Sequence, residues 1–323
     1  MRLAVLDIGS NSIHLLVVDA GVGAPPLPAT SHKEVLRLAE HLKEDGSITT
    51  YARERLMQFC KEAIEIAEEQ GAEQILAFAT SALRDAPNGE ATIEKIYKET
   101  GLTLNVMSGE DEARVTFLAA RRWFGWSAGK LLLLDIGGGS LEMAAGQDEY
   151  PDAAVSVPLG AGRMYSEFLN GGEVTTPDQI AALRRHARQL VGRYAGLINR
   201  VGKPDNVVGS SKTFRSLARL GGAAPSGSGI YVPRQLHRKD LPGIIEQLAS
   251  RNAAQRAELP GVSESRSGQV LAGAVVAETA FTIFNIDTML ISPWALREGI
   301  IMRKLDLLDS SETLSRPTVA LPR

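Results

Sequence analysis

Cysteine is nearly absent from this 323-residue chain, where Cys60 stands alone. A single thiol excludes an internal disulfide framework and fits a reducing compartment. Cys60 shares an apolar helical face with Leu56, Phe59 and Ala63, which places it in a core. An excess of charge of one sign is absent too. The 35 Lys and Arg against 38 Asp and Glu leave a net charge of −3. No general basic field therefore draws in nucleic acid, and a polyanion must be held by a local cluster. Long apolar runs are missing as well: none approaches the roughly 18 residues that a membrane helix needs. Asp7 interrupts the N-terminal apolar stretch, which therefore does not read as a signal peptide. These absences lead us to expect a cytoplasmic chain with no membrane partner. The rest is ordinary for a soluble globular protein, with 44% hydrophobic and 23% charged residues. The length suffices for two domains with full cores.

One device is present twice. Asp7-Ile8-Gly9-Ser10-Asn11-Ser12 follows the apolar run Leu3–Leu6, and Asp135-Ile136-Gly137-Gly138-Gly139-Ser140 follows Leu131–Leu134. Each run reads as a buried strand ending in an acid and a glycine turn. Glycine lets the backbone turn sharply, and clustered N–H groups in such turns suit phosphate oxygens. A bare carboxylate beside a phosphate would repel it, so a bridging divalent cation is expected. The repetition implies two related domains clasping one phosphate-rich ligand.

Along the chain, strands are expected at Arg2–Ile8 and Ser12–Asp19, followed by a Gly/Pro loop over Gly21–Pro28 and an ambiguous third strand near Glu34–Ala39. A helix from about Tyr51 to Gln70 has regular apolar spacing and stops at Gly71. Strand Gln74–Ala79, helix Gly89–Thr100 and strand Leu102–Met107 complete a mixed sheet with packed helices. Ser108 caps a helix running to about Trp123, and Trp126–Gly129 reads as a linker. The order then repeats, with strands at 130–135, 140–146 and 153–158, and a helix opened by Thr176-Pro177-Asp178-Gln179. Strand Asn206–Val208 enters Gly209-Ser210-Ser211 and a helix to about Leu220. Helices near Gln235–Ala249 and Gly268–Ile283, strand Thr288–Ile291 and helix Trp294–Leu308 follow. The expected domains are 1–126 and 127–309, with a disordered tail at 310–323.

The paired strand–acid–glycine–strand units resemble the acetate and sugar kinase/heat-shock ATPase/actin superfamily. They imply an α/β fold of duplicated actin-like (ribonuclease H-like) domains around an interdomain cleft. The strings at 6–15, Ala79-Thr80-Ser81-Ala82-Leu83-Arg84, Ser108-Gly109-Glu110-Asp111-Glu112-Ala113-Arg114, 135–142 and Pro293-Trp294-Ala295-Leu296-Arg297-Glu298-Gly299 are more specific. Together they resemble the exopolyphosphatase/guanosine pentaphosphate phosphohydrolase (Ppx/GppA) family, and within it the short actinobacterial-type exopolyphosphatases.

That resemblance implies hydrolysis of terminal orthophosphate from inorganic polyphosphate, with Mg²⁺ (or Mn²⁺) as cofactor and a homodimer as assembly. Guanosine tetra- or pentaphosphate is the alternative partner: as substrate of a 5′-phosphohydrolase, or as ligand of a non-catalytic sensor. By the same resemblance Glu112 is the base that activates water, while Glu110 and Asp111 complement the helix dipole. Asp135 is the expected metal ligand, with Glu142 as the second acid. Strand alternation puts Glu142 on the side of Ser140, away from the apolar layer. Asp7 completes the cation shell or caps its own turn. Gly9, Ser10, Asn11, Ser12, Gly137, Gly138, Gly139, Ser140 and Ser211 are the expected phosphate donors. Arg84 contacts phosphate or pairs with Asp85 or Glu90. Lys212 departs from the family's G-T-S-G pattern; it is expected to contact phosphate and disfavour nucleosides. His14 is expected to be structural. Arg184, Arg185, Arg188, the Arg234–Lys239 cluster and Arg215 with Arg219 form either solvated faces or a track for a long chain.

Overall fold

The computed structural model describes residues 1–315 apart from Val22, Ala24, Pro25 and 170–174. Its first half runs β1 (Arg2–Ile8), β2 (Ile13–Asp19), β3 (Leu27–Glu34), α1 (Thr50–Glu69), β4 (Gln74–Ala79), α2 (Ser81–Arg84), α3 (Gly89–Thr100) and β5 (Leu104–Val106). The sheet order is β3-β2-β1-β4-β5: an antiparallel meander, then β4 and β5 parallel to β1. Helix α4 (Gly109–Phe124) leads into the second half. There follow β6 (Leu131–Ile136), β7 (Leu141–Gly146), β8 (Ala153–Val157), α5 (Ala161–Met164), α6 (Pro177–Asn199), β9 (Asn206–Gly209) and α7 (Lys212–Leu220). The chain closes with β10 (Gln235–His237), α8 (Leu241–Ala249), α9 (Ala253–Ala257), α10 (Val270–Ile283), β11 (Thr288–Ile291) and α11 (Leu296–Ser315). This sheet reads β8-β7-β6-β9-β11, the same plan of meander and two parallel strands, with β10 added at the edge. The duplicated actin-like architecture is therefore present in full.

Alternation along β1 and β6 explains how the halves meet. Ala4, Leu6 and Ile8 face a core with Leu56, Phe59 and Cys60 of α1, while Leu3 and Val5 face the other way. Likewise Leu132, Leu134 and Ile136 face a core built on α6, α7 and α10, and Leu131 and Leu133 face α4. Helix α4 serves both inner faces. Ala113, Phe117 and Ala120 pack on the second sheet, and Val115 packs on the first. Helix α11 returns to the first sheet, burying Ile300, Ile301 and Leu305 against Leu3, Val5, Leu16 and Val18. Gly299 permits this crossing, because a Cβ there would lie 2.1 Å from the Val115 carbonyl oxygen.

Several local expectations change. The third strand is Leu27–Glu34, earlier than expected, and 35–39 leaves the sheet; Leu38–His41 forms a 3-10 turn. Its polar run tolerates Pro28 because β3 is an edge, where a missing N–H costs no ladder bond. Gln235–His237 is a strand paired with Thr288–Leu290, not helix, and helix begins only at Leu241 with Pro242 in its first turn. Helix α11 continues past residue 310 to Ser315, where the tail was expected; 316–323 lie outside the described residues. Among the described residues no helix is long and apolar enough to cross a membrane.

Candidate active site

Both acid–glycine turns open into one cleft of about 340 Å³ between the sheets. Asp7 continues the inner-face alternation of Leu3 and Val5, and Asp135 that of Leu131 and Leu133, so both carboxylates emerge where the apolar layer ends. The turns are closed alike: the Gly9 N–H donates to the Ser12 carbonyl at 3.1 Å, and the Gly137 N–H to the Ser140 carbonyl at 2.9 Å. Asp135 is the direct β-partner of Glu142, so both project on the same face. The expected separation of this face from the apolar layer does not hold, because it too is covered. Ala144 on it packs under α4, and Glu142 is buried, accepting a hydrogen bond from Ser156 Oγ at 2.8 Å.

Glu112 arrives from the first turn of α4. Ser108 caps that helix by accepting from the Asp111 N–H, and its hydroxyl donates to the Asp111 carboxylate at 2.7 Å. Glu110 and Asp111 stand in the first turn, where they complement the helix dipole as expected, and both also pair with Arg114. Glu112 instead turns inward. Its Oε2 is buried without a hydrogen bond, with Arg84 Nη1 3.7 Å away.

Four carboxylates thus line one cleft, and each binds its proton more tightly than usual. Burial raises Glu112 well above its ordinary value; Glu142 and Asp135 add to the rise, and Arg84 opposes it. Burial followed by Asp135 pushes Glu142 up to about 8. Burial raises Asp135, against a hydrogen bond donated by Ser210. Asp7 is raised by burial and lowered by Arg297.

Cations line the cleft as well. Lys33 from β3, Lys212 and Arg215 from α7, and Arg266 line the same cleft. Burial lowers the proton affinity of all four. Mutual repulsion adds to this for Lys33, Lys212 and Arg266, bringing Arg266 to about 10. None of the four forms an ion pair with a carboxylate within 4 Å among the described residues.

The structure brings most of the expected residues together. Asp7, Gly9, Ser10, Asn11, Ser12, Glu112, Asp135, Gly137, Gly138, Ser140, Glu142, Ser211 and Lys212 all line the cleft. Gly139 and Arg84 line a neighbouring cavity behind Ser140. Arg84 does pair with Asp85, at 3.1 Å, and donates to the Met107 carbonyl at 3.0 Å. The Ser10 and Asn11 side chains are engaged elsewhere: Ser10 Oγ lies 2.8 Å from Ser81 Oγ, and the Asn11 amide pairs reciprocally with Gln269. What they can offer a ligand is mainly backbone. Ser211 accepts from the Phe214 N–H and caps α7.

His14, expected to be structural, lies near the start of β2. It lines the cleft, its Nε2 lies 2.6 Å from Ser31 Oγ, and Arg297 Nη1 is 3.4 Å from the same nitrogen. Arg184 joins no track in this structure, being held by Glu278 at 2.7 Å. Lys33, Arg266 and Arg297 were missed. Lys33 alternates with His32 on a polar edge strand, a readable signal had the strand been placed correctly. Arg297 lies within the closing motif at 293–299, whereas Arg266 ends the 3-10 turn Glu264–Arg266 and carries no local sequence pattern.

A family model for the Ppx/GppA phosphatase family matches residues 16–308. The chain belongs to this family. Among its members, Exopolyphosphatase 1 of Mycobacterium tuberculosis is 48% identical over 95% of this chain and 89% of its own. The Mycobacterium leprae Exopolyphosphatase 1 is 47% identical over 95% and 90%. An exopolyphosphatase structure from Cytophaga hutchinsonii aligns with a TM-score of 0.84 at 24% identity, covering 95% of this chain and 98% of that one. The Aquifex aeolicus Ppx/GppA family member gives 0.78 at 24% identity, over 96% and 98%. At such identities the two structures speak for the fold.

Proposed function

We propose that this protein is an exopolyphosphatase, releasing terminal orthophosphate from inorganic polyphosphate by attack of an activated water. The observation that carries the reading is the set of cations that line the cleft beside its carboxylates. Lys212, Arg215 and Arg266 are partly buried and Lys33 is exposed, and none has a carboxylate within 4 Å among the described residues, an arrangement that suits a polyanion. The mycobacterial relatives, named exopolyphosphatases, agree with it.

Glu112 is the group to take the water's proton. It stands beside Glu142 and Asp135, where a proton is welcome, and its Oε2 has no competing hydrogen bond. Arg84, 3.7 Å away, holds that oxygen in place and limits the rise in its proton affinity. Backbone N–H groups of the Gly9 and Gly137 turns face the phosphoryl oxygens. Lys212 and Arg215 hold the leaving chain, where charge develops as the bond breaks.

The carboxylates of the cleft also fit a Mg²⁺ or Mn²⁺ ion. Magnesium takes one or two carboxylates and completes its shell with water and phosphate oxygens, so it requires no all-protein cage. Among the described residues no three potential ligands are already grouped for a metal, while Asp135, Asp7 and Glu142 each present a carboxylate to the cleft. Asp135 would hold the ion directly or through water, with Glu142 and Asp7 reaching it through its water shell, and the ion would neutralise charge on the transferring group. The single buried Cys60 and the absence of a membrane-length helix among the described residues support a cytoplasmic location. A homodimer is part of the same proposal and rests on the family resemblance.

The deciding test measures orthophosphate release from long-chain polyphosphate with and without Mg²⁺, beside guanosine pentaphosphate and ATP at matched terminal phosphate. Release from polyphosphate, dependent on metal and lost in Glu112→Gln, is the expected result. Release mainly from guanosine pentaphosphate would move the assignment to that substrate.

A further inference from the structure

A second cavity of about 200 Å³ adjoins the cleft, and Lys212 and Arg215 line both. Beyond them it is walled by Arg219 from α7, Arg234, Ser226 and Pro293. Four of its lining residues are cations and none is an acid. Two other cavities differ: one is lined in part by Asp85 and Glu110, another by Glu40, Glu258 and Glu264. No carboxylate within 4 Å pairs with any of these four cations among the described residues. Arg215 Nε, buried, has no hydrogen-bond acceptor. Arg234 is fixed by donation to the Ala224, Val232, Pro225 and Gly229 carbonyls at 2.7–3.0 Å. Carbonyls orient its guanidinium but leave its charge uncompensated. Arg219 donates once, to the Ala223 carbonyl at 3.0 Å.

We propose that this cavity is a subsite for the distal phosphates of a polyphosphate chain, entered past Lys212 and Arg215 from the hydrolytic cleft. It rests on the exopolyphosphatase reading and extends it. Terminal phosphates occupy the glycine turns, and the chain beyond them meets Arg219 and Arg234. A polyanion suits a wall of unpaired cations better than a neutral base does. A nucleoside would use the apolar Ile230, Pro225 and Pro293 and leave the partly buried arginines without a counter-charge. Lys212, at the junction, selects the chain.

Two variants test the subsite: Arg219→Gln, which removes one charge, and Ser226→Glu, which places an acid on the exposed rim. Each is assayed on tripolyphosphate and on long-chain polyphosphate, with thermal unfolding as a folding control. Both variants should raise the long-chain KM severalfold, leave the tripolyphosphate KM within about twofold, and flatten the salt dependence of long-chain cleavage. Equal KM changes on both substrates, or none on either, would overturn the proposal. So would a variant that relieved inhibition by added ATP while keeping its long-chain KM, since that marks a nucleoside pocket. Failure of the wider reading looks different, because then the unaltered protein releases phosphate from neither polyphosphate.

Discussion

Asp135 and Glu142 are direct partners across β6 and β7, and the same position in the first sheet holds Asp7 and His14. The duplicated turns have therefore diverged at one place. The second turn presents two carboxylates beside Glu112; the first presents one carboxylate and an imidazole beside Arg297. The second turn therefore brings more carboxylate to the cleft than the first.

Crowding the carboxylates costs stability in the unliganded protein, with a definite pH window. Glu142 rises in the fold from its ordinary 4.5 to about 8, because burial and Asp135 disfavour its charge. A raised acid contributes stability that is fully present below pH 4.5 and is lost as pH climbs through 8. The loss has a slope of at most about 1.4 kcal/mol per pH unit. Glu142→Gln should flatten this decline, so melting temperatures of the two proteins should diverge between pH 5 and 8 in the variant's favour. Parallel curves would remove Glu142 as the source.

Glu112→Gln keeps size and loses the base. Turnover should fall by about 10²–10⁴-fold, while polyphosphate affinity, carried by the cleft's cations, stays the same or rises as a negative charge is removed. Single-turnover release and equilibrium binding on the same sample separate the two effects. A variant with near-normal turnover would place the base elsewhere.

Asp85 links the two halves behind the acids. Its Oδ1 accepts from Arg84 Nε at 3.1 Å, and its Oδ2 from Arg163 Nη2 at 2.9 Å. Arg163 also donates to the Gly139 carbonyl at 3.1 Å, tying the phosphate turn to the residue that steadies Glu112. These pairs are partly exposed, so their loss should cost under about 1 kcal/mol of stability. Arg163→Gln and Asp85→Asn should each lower kcat severalfold, and the double variant should be no worse than either single one. Additive losses would show that the two act separately.

Much of this site was legible in the chain because its parts are local. A strand, an acid and a glycine turn are neighbours in sequence, and their repetition announces two facing copies. Ser108 and Glu112 belong to one capped helix. The cleft's cations were less legible, because Lys33, Arg215 and Arg266 come from an edge strand, a helix and a 3-10 turn that meet only after folding. The closing motif was visible, but its workings were not. Arg297 faces the cleft, Glu298 accepts from the Ala295 N–H at 2.8 Å to hold the helix start, and Gly299 lets α11 cross α4. Edge strands β3 and β10 were misplaced because each is short or polar and gains its order from a neighbour.

Gly160 shows how tightly the second phosphate turn is held from behind. It precedes α5, whose Ala161 N–H donates to the Gly137 carbonyl at 2.9 Å and whose Arg163 N–H donates to the Gly138 carbonyl at 3.0 Å. A Cβ on Gly160 would lie 2.3 Å from both the nitrogen and the carbonyl carbon of Gly139. These are backbone atoms, so no side-chain rotation relieves the clash and the turn itself must move. Gly160→Ala should cost about 1–3 kcal/mol, as overpacking does, and should lower kcat because the displaced N–H groups no longer meet the phosphoryl oxygens. Gly192→Ala is the matched control: it lies within α6 with nothing inside 4 Å of the added carbon. That variant should keep full activity and gain up to about 1 kcal/mol from helix propensity. Thermal unfolding and steady-state turnover of the pair decide the point, since equal behaviour would mean the turn does not need Gly160 beneath it.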